Sequence, residues 1–320
     1  MNNENPEVVN LVSAQLPITS FALHPNVSGE SFLLPTSLAY TGAGYLIDRH
    51  PGAVYLYAPG QSIVITYGET KESAQVNKFA EVLSEDLSGL RAIGKAVYDA
   101  TLSGAQYSAV SATVRSYGDN HSPSKELSCA ADLTFDGGWR SATAIFSYEA
   151  SRALCNEPDE VLTCFAGIIP SGMGTGGNIF PVWMHQWCYL MTDGPNTLYR
   201  FLTDVEIPNM TLPIIVELTR NHLLRPFNHF EFLSDLGLNK FRAWGHIYSV
   251  ALDDLGSLEE YKLLTTALLT LVNFYHRRVQ ARFPFYLGKS FPRISRDEIL
   301  KISRILEISS TSTPSSPYMK

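Results

Sequence analysis

Hydrophobic positions recur with two different periods in the two halves of this 320-residue chain. From Val8 to about Gly118, short β-branched and aromatic runs broken by Pro and Gly predict strands at residues 8–12, 53–56, 62–67, 79–83 and 107–114. In Ser62-Ile-Val-Ile-Thr-Tyr67 the positions 63, 65 and 67 fall on one face and 62, 64 and 66 on the other. That alternation predicts a half-buried strand on which Tyr67 shares a face with Ile65. One helical stripe, Leu87, Leu90, Ile93 and Val97, interrupts the strands. A mostly β half with a single helix predicts a small closed or nearly closed barrel, because closure removes the exposed edges of a short sheet.

Past residues 120–123 the period changes. Between Ser257 and Arg282 the positions Leu258, Tyr261, Leu264, Leu268, Leu271, Tyr275 and Val279 make one apolar stripe, and Ser257-Leu-Glu-Glu260 has the form of a capping box. Shorter helical patterns occupy 142–154, 178–191, 213–223 and 239–252, and Ser295-Arg-Asp-Glu298 caps another. The Ser/Thr/Pro tail from Ser309 to Lys320 has too little apolar area to offset the entropy of ordering. The expected class is therefore α+β multidomain. A β-barrel domain occupies residues 1–120, an all-α helical bundle 121–308, and a disordered tail 309–320.

Composition narrows the partners. The chain is 45% hydrophobic and carries a net charge of −7 without a basic block, which argues against nucleic acid. Cys129, Cys155, Cys164 and Cys188 form no C-x-x-C pair and no Cys/His spacing, so reduced, buried thiols are expected rather than a metal site. The first residues lack the basic start and apolar run of a signal peptide, and no stretch of about 18 apolar residues predicts a membrane span. The expectation is a cytoplasmic protein without a membrane partner.

Several stretches carry candidate chemistry. Gly172-Met-Gly-Thr-Gly-Gly177 matches G-x-G-x-x-G, but Pro170 interrupts the approach, the surroundings are helical and the nearest acidic residue, Asp193, lies in a turn. A dinucleotide site needs a strand feeding a helix, so a loop joining two helices is the better reading. In the following aromatic segment Trp183 and Trp187 share one helical face and His185 and Tyr189 another. This is either a core helix or a pocket wall that stacks a flat ring and offers an imidazole. Arg220 closes a helix, where it answers the helix dipole or forks a carboxylate. Arg277, Arg278 and Arg282 read as the solvated end of the long helix. Tyr67 and Glu69 flank Gly68, as a packed aromatic and a solvated turn carboxylate or as a phenol and a base at a pocket mouth.

Tyr57-Ala-Pro-Gly60, the strand to Tyr67-Gly-Glu-Thr70, Asn77-Lys-Phe-Ala80 and Gly89-Leu-Arg-Ala-Ile-Gly94 together resemble the cyclophilin-like β-barrel family over about residues 8–118. Such a barrel joined to a helical domain with an aromatic helix around Trp183 resembles the cucumopine and mikimopine synthases. The resemblance implies a cofactor-free Pictet-Spengler cyclisation of L-histidine with 2-oxoglutarate, requiring no metal or nucleotide, with homo-oligomerisation left open. That chemistry needs a general acid, a general base and cations for carboxylates. By residue type, Glu69 is the candidate base, its pKa raised by burial at the barrel mouth, and Tyr57 and Tyr67 the proton relays. His185 is an alternative acid or base, Lys78 and Arg220 are carboxylate ligands, and Trp183 or Trp187 stacks the imidazole. The Phe-His-Arg strand and Phe-x-Met-Gln motif of prolyl isomerases are missing. The rival reading is a non-catalytic small-ligand-binding barrel with a helical assembly domain.

Overall fold

The computed structural model describes residues 4–25, 28–103, 108–118, 133–165, 193–224 and 239–282, all inside the compact unit Met1–Phe283. The 120/121 boundary, the aromatic helix, the glycine loop and everything beyond residue 282 lie outside them.

The first apolar run is a helix, not a strand. In α1 (Pro6–Ala14), Asn5 Oδ1 accepts from the Val8 amide at 3.3 Å and Pro6 supplies a first-turn residue with fixed φ. Val8 and Val12, four apart, are both buried. A capped start and i,i+4 spacing outweigh the β-branched composition.

Strands β1 (Ile18–Ala22), β2 (Gly29–Pro35), β3 (Ala53–Tyr57), β4 (Ser62–Thr70), β5 (Asn77–Glu81) and β6 (Val110–Val114) follow, with α2 (Leu87–Tyr98) between the last two. They form an antiparallel sheet in the order β2-β4-β3-β5 and a separate β1-β6 pair, joined to the larger sheet by a bridge between Leu23 and Leu33. Among the described residues the expected barrel does not close. β5 ends the sheet, and α1 covers that edge: Asn5 Nδ2 donates to Asn77 Oδ1 at 3.0 Å, and α1 packs on β5. A helix start thus protects an edge where closure would have needed another strand.

The sheet is buried on both faces, not half-buried. Phe32, Leu34, Val54, Leu56, Ile63 and Tyr67 face a core shared with α1 and α2. The alternate residues Leu33, Tyr55 and Val64 face a second core that includes Ala281. Period-2 alternation correctly separates the faces, but both meet protein.

The helical half contains α3 (Trp139–Cys155), α4 (Asp159–Phe165), α5 (193–204), α6 (Leu212–Leu218), α7 (Lys240–Ala251) and α8 (Leu258–Arg282). Half of the capping box at the start of α8 forms as expected, Glu260 N donating to Ser257 Oγ at 3.2 Å, while Glu260 Oε2 accepts at 2.6 Å from the amide one residue earlier, Gly256 N. From Leu264 onward α8 is buried on nearly every side, with α3 alongside and its C-terminal turns against the sheet. The reading of Arg277 and Arg278 as a solvated end is therefore wrong. They are 7% and 4% exposed: Arg278 donates to the Ala153 and Leu154 carbonyls at the end of α3 and lies over the Phe21 ring, and Arg277 donates to Gln280 beside the Gly60 turn. No helix among the described residues is long and apolar enough to cross a membrane. Cys155 is a free, exposed thiol, not a buried one.

Candidate functional site

The outer face of β3 and the inner face of α8 bring together an unusual concentration of buried polar groups. Strand alternation puts Tyr55 and Tyr57 on the side facing α8. Tyr55 is 1% exposed, and its hydroxyl has no hydrogen-bond partner. Burial, reinforced by the Glu72 carboxylate and opposed by Arg49, pushes the Tyr55 phenol up to about 12.

Arg49 enters this face from the loop before β3. It is buried, with its guanidinium carbon 5.3 Å from the Tyr55 ring centroid. It donates to the carbonyls of Glu72 at 2.6 Å and Ala74 at 2.5 Å, pinning the 71–76 loop, and that loop is also held by the Tyr45–Val76 bridge. Arg49 Nε faces the Glu72 carboxylate at 3.6 Å, within ion-pair range but without a hydrogen bond.

Tyr57 donates to Asn196 Oδ1 of α5 at 3.3 Å. Burial raises its pKa, the Arg277 charge opposes that, and Glu72 adds to it. One phenol is thus in electrostatic reach of both a carboxylate from the strand half and a guanidinium from α8.

The turn from Tyr57 to Ser62 sets this geometry. At Gly60 a Cβ would lie 2.7 Å from the Tyr57 ring and 2.8 Å from Arg277 Nη2, so only glycine lets the turn approach α8 this closely. The next residue, Gln61, is buried at φ 41°, a left-handed conformation unusual for a side-chain-bearing residue. Its amide is locked to α8: Gln61 Nε2 donates to Thr270 Oγ1 at 3.0 Å, and Asn273 Nδ2 donates to Gln61 Oε1 and to Pro59 O, each at 3.0 Å. Asn273, His276 and Arg277 fall on one helical face at three- and four-residue spacing. Burial and the Arg277 charge hold His276 well below the ordinary histidine range, and its Nδ1 is buried without a partner.

The residues singled out by sequence are scattered. Tyr57 is part of this constellation. Tyr67 lies on the opposite face of the sheet, where its hydroxyl meets His24 Nε2 at 2.9 Å. Glu69 projects into water, 79% exposed and 3.5 Å from Lys71, so it is not buried at a barrel mouth. Its place at the strand end, beyond the covered part of the sheet, is the reason. Lys78 pairs with Glu81 at 2.5 Å and Glu4 at 3.3 Å; burial lowers its pKa, but these bonds outweigh that and raise it. Arg220 pairs with Asp253 at 2.5 Å on the surface of the helical half. His185, Trp183 and Trp187 lie outside the described residues.

Sequence reasoning missed Arg49, Tyr55, Glu72, Asn273 and His276. Arg49 and Glu72 sit in loops without periodicity. Asn273 and His276 did carry a signal: they are polar positions in the most apolar part of the longest helix.

Comparison with known proteins bears on both halves. Residues 139–281 match the family model described as the cucumopine synthase C-terminal helical bundle domain. The fold resembles the solved structure of McbB in complex with tryptophan, with a TM-score of 0.74 and 22% identity, covering 91% of this chain and 94% of that one. None of the curated proteins searched matches the sequence.

Proposed function

We propose, from the match of residues 139–281 to the cucumopine synthase C-terminal helical bundle domain, that this chain is a cucumopine synthase-like Pictet-Spenglerase acting on L-histidine and 2-oxoglutarate. The observation that supports a site between β3 and α8 is the gathering there of buried polar atoms without protein partners. These are Tyr55 OH on β3 and Asn273 Oδ1 and His276 Nδ1 on α8, none of which makes a hydrogen bond. Buried polar groups are normally satisfied, and a cluster of exceptions calls for an explanation such as a bound molecule. McbB, whose fold is similar, is solved with tryptophan, another amino acid bearing an N–H heteroaromatic ring.

The reaction joins the histidine amine to the ketone carbon of 2-oxoglutarate. Water leaves to give an imine, an imidazole carbon attacks the imine carbon, and the ring proton then departs. In this reading Arg49 and Arg277 hold substrate carboxylates, since a guanidinium fork matches a carboxylate. Glu72 takes the protons of the amine and the ring. Tyr55 and Tyr57, kept protonated at neutral pH, donate hydrogen bonds to the departing oxygen. No step calls on a nucleotide or metal, so the reaction is proposed to be cofactor-independent. The roles assigned by sequence to Tyr67, Arg220, His185, Trp183 and Trp187 remain proposals, while in this reading Glu72 replaces Glu69 as the base and Arg49 and Arg277 replace Lys78 as carboxylate ligands. So do the 120/121 division, the cytoplasmic location and any homo-oligomer.

The test is to incubate the purified chain with L-histidine and 2-oxoglutarate, without nucleotide. A product with the mass of both substrates less one water, resistant to borohydride as a cyclised imine adduct would be, is expected. Its failure to form sinks the proposal.

A further inference from the structure

We infer that Asn273 is a specificity-determining residue whose side-chain oxygen accepts a ring N–H of the amino substrate. The inference rests on the function proposed above and adds a receptor for one atom of the substrate. It starts from hydrogen-bond accounting. A primary amide has two N–H donors and one acceptor oxygen. Asn273 spends both donors within the protein, on Pro59 O and on Gln61 Oε1, each at 3.0 Å. Both partners are acceptors only, so the amide orientation is fixed: a flip would set Oδ1 against two oxygens. Oδ1 is then left buried with no donor, on a residue 1% exposed.

The surroundings decide what kind of donor fits. Arg277 is one helical turn further along the same face, and its charge reaches both His276 and Tyr57. A second cation beside that guanidinium is disfavoured, so an ammonium group is the wrong donor; the Glu72 carboxylate suits it better. A neutral amide oxygen next to a cation fits a neutral N–H, which on an amino acid substrate is a ring nitrogen. The left-handed Gln61 and the Gly60 approach hold the amide in place through the same contacts, so the acceptor is fixed before a ligand arrives.

Calorimetry on the full chain tests this with L-histidine, its two ring-N-methylated isomers and 2-oxoglutarate. The protein is expected to bind L-histidine, and one methyl isomer about tenfold more weakly or worse, since that methyl group removes the donor and leaves Oδ1 buried and unpaired. In Asn273→Leu this preference should vanish, with 2-oxoglutarate affinity unchanged. Wild-type binding of both isomers as tightly as L-histidine would overturn the inference while leaving the proposed function standing, and that measurement does not depend on a variant folding. A preference that survives in Asn273→Leu also overturns it. If L-histidine does not bind at all, the proposed substrate falls. L-tryptophan against 1-methyltryptophan then decides, and equal binding, or none, removes Asn273 from recognition.

Discussion

Arg49 and Tyr55 are stacked in the buried face of the sheet, the guanidinium carbon 5.3 Å from the ring centroid, and the same guanidinium opposes the rise in the phenol pKa that burial causes. A cation spent on pinning the 71–76 loop thereby also orders an aromatic ring and brings the Glu72 carboxylate to the same place.

The first consequence concerns which carboxylate acts. Glu72→Gln keeps the shape and removes the base, so turnover should fall about 10²-fold or more. Glu69→Gln, on a side chain 79% exposed, should leave turnover within about twofold. Steady-state rates of the two variants check this. The reverse ranking would return the chemistry to the strand end.

Tyr55→Phe separates stability from activity. Deleting an unpartnered buried hydroxyl should leave the fold as stable or raise stability by about 1 kcal/mol. Turnover should nevertheless drop, because the phenol, with its pKa pushed up to about 12, is the proposed hydrogen-bond donor to the substrate. Urea unfolding and initial rates measure the two sides. A less stable but fully active variant would assign the hydroxyl to packing alone.

Acid should destabilise the chain through two histidines. His24 donates from Nδ1 to the Pro25 carbonyl at 2.8 Å and accepts at Nε2 from Tyr67. Burial lowers its pKa, with Pro25 and Glu30 opposing, and burial and Arg277 lower that of His276 further. Both folded pKa values lie below the unfolded value of 6.5, so the unfolded state binds more protons as pH falls. Stability is complete above pH 6.5 and declines as pH falls below it. Thermal melts between neutral and acid pH should show this, and His24→Gln should flatten part of the slope. A slope unchanged in that variant would place the effect on other groups.

Lys78 already has two carboxylate partners, Glu81 and Glu4. Lys78→Ala is expected to cost about 1 kcal/mol or less in stability. It should leave 2-oxoglutarate affinity within about twofold. A large loss of affinity in calorimetry would show that Lys78 exchanges a protein partner for the substrate.

Periodicity and capping chemistry were enough to determine much of this fold. The box at Ser257-Leu-Glu-Glu260, the stripe of α8 and the alternation of Ser62 to Tyr67 are local properties, and they appear where the sequence places them. Local composition misled at Val8 to Val12, where one Asn-Pro cap decided for helix. Tertiary structure alone decided the rest. Among the described residues it left the sheet open with α1 on its edge and buried its second face in a core that includes Ala281 of α8. It also turned Arg277 and Arg278 from a solvated end into buried charges. Tyr57 could be nominated from its strand, but its neighbours Glu72, Asn196 and Arg277 are 15 to 220 positions away. A strand or helix pattern records which side of an element is apolar. It does not record which distant segment covers that side, and the chemistry proposed here depends on that cover, because only burial between two elements leaves polar atoms in need of a ligand.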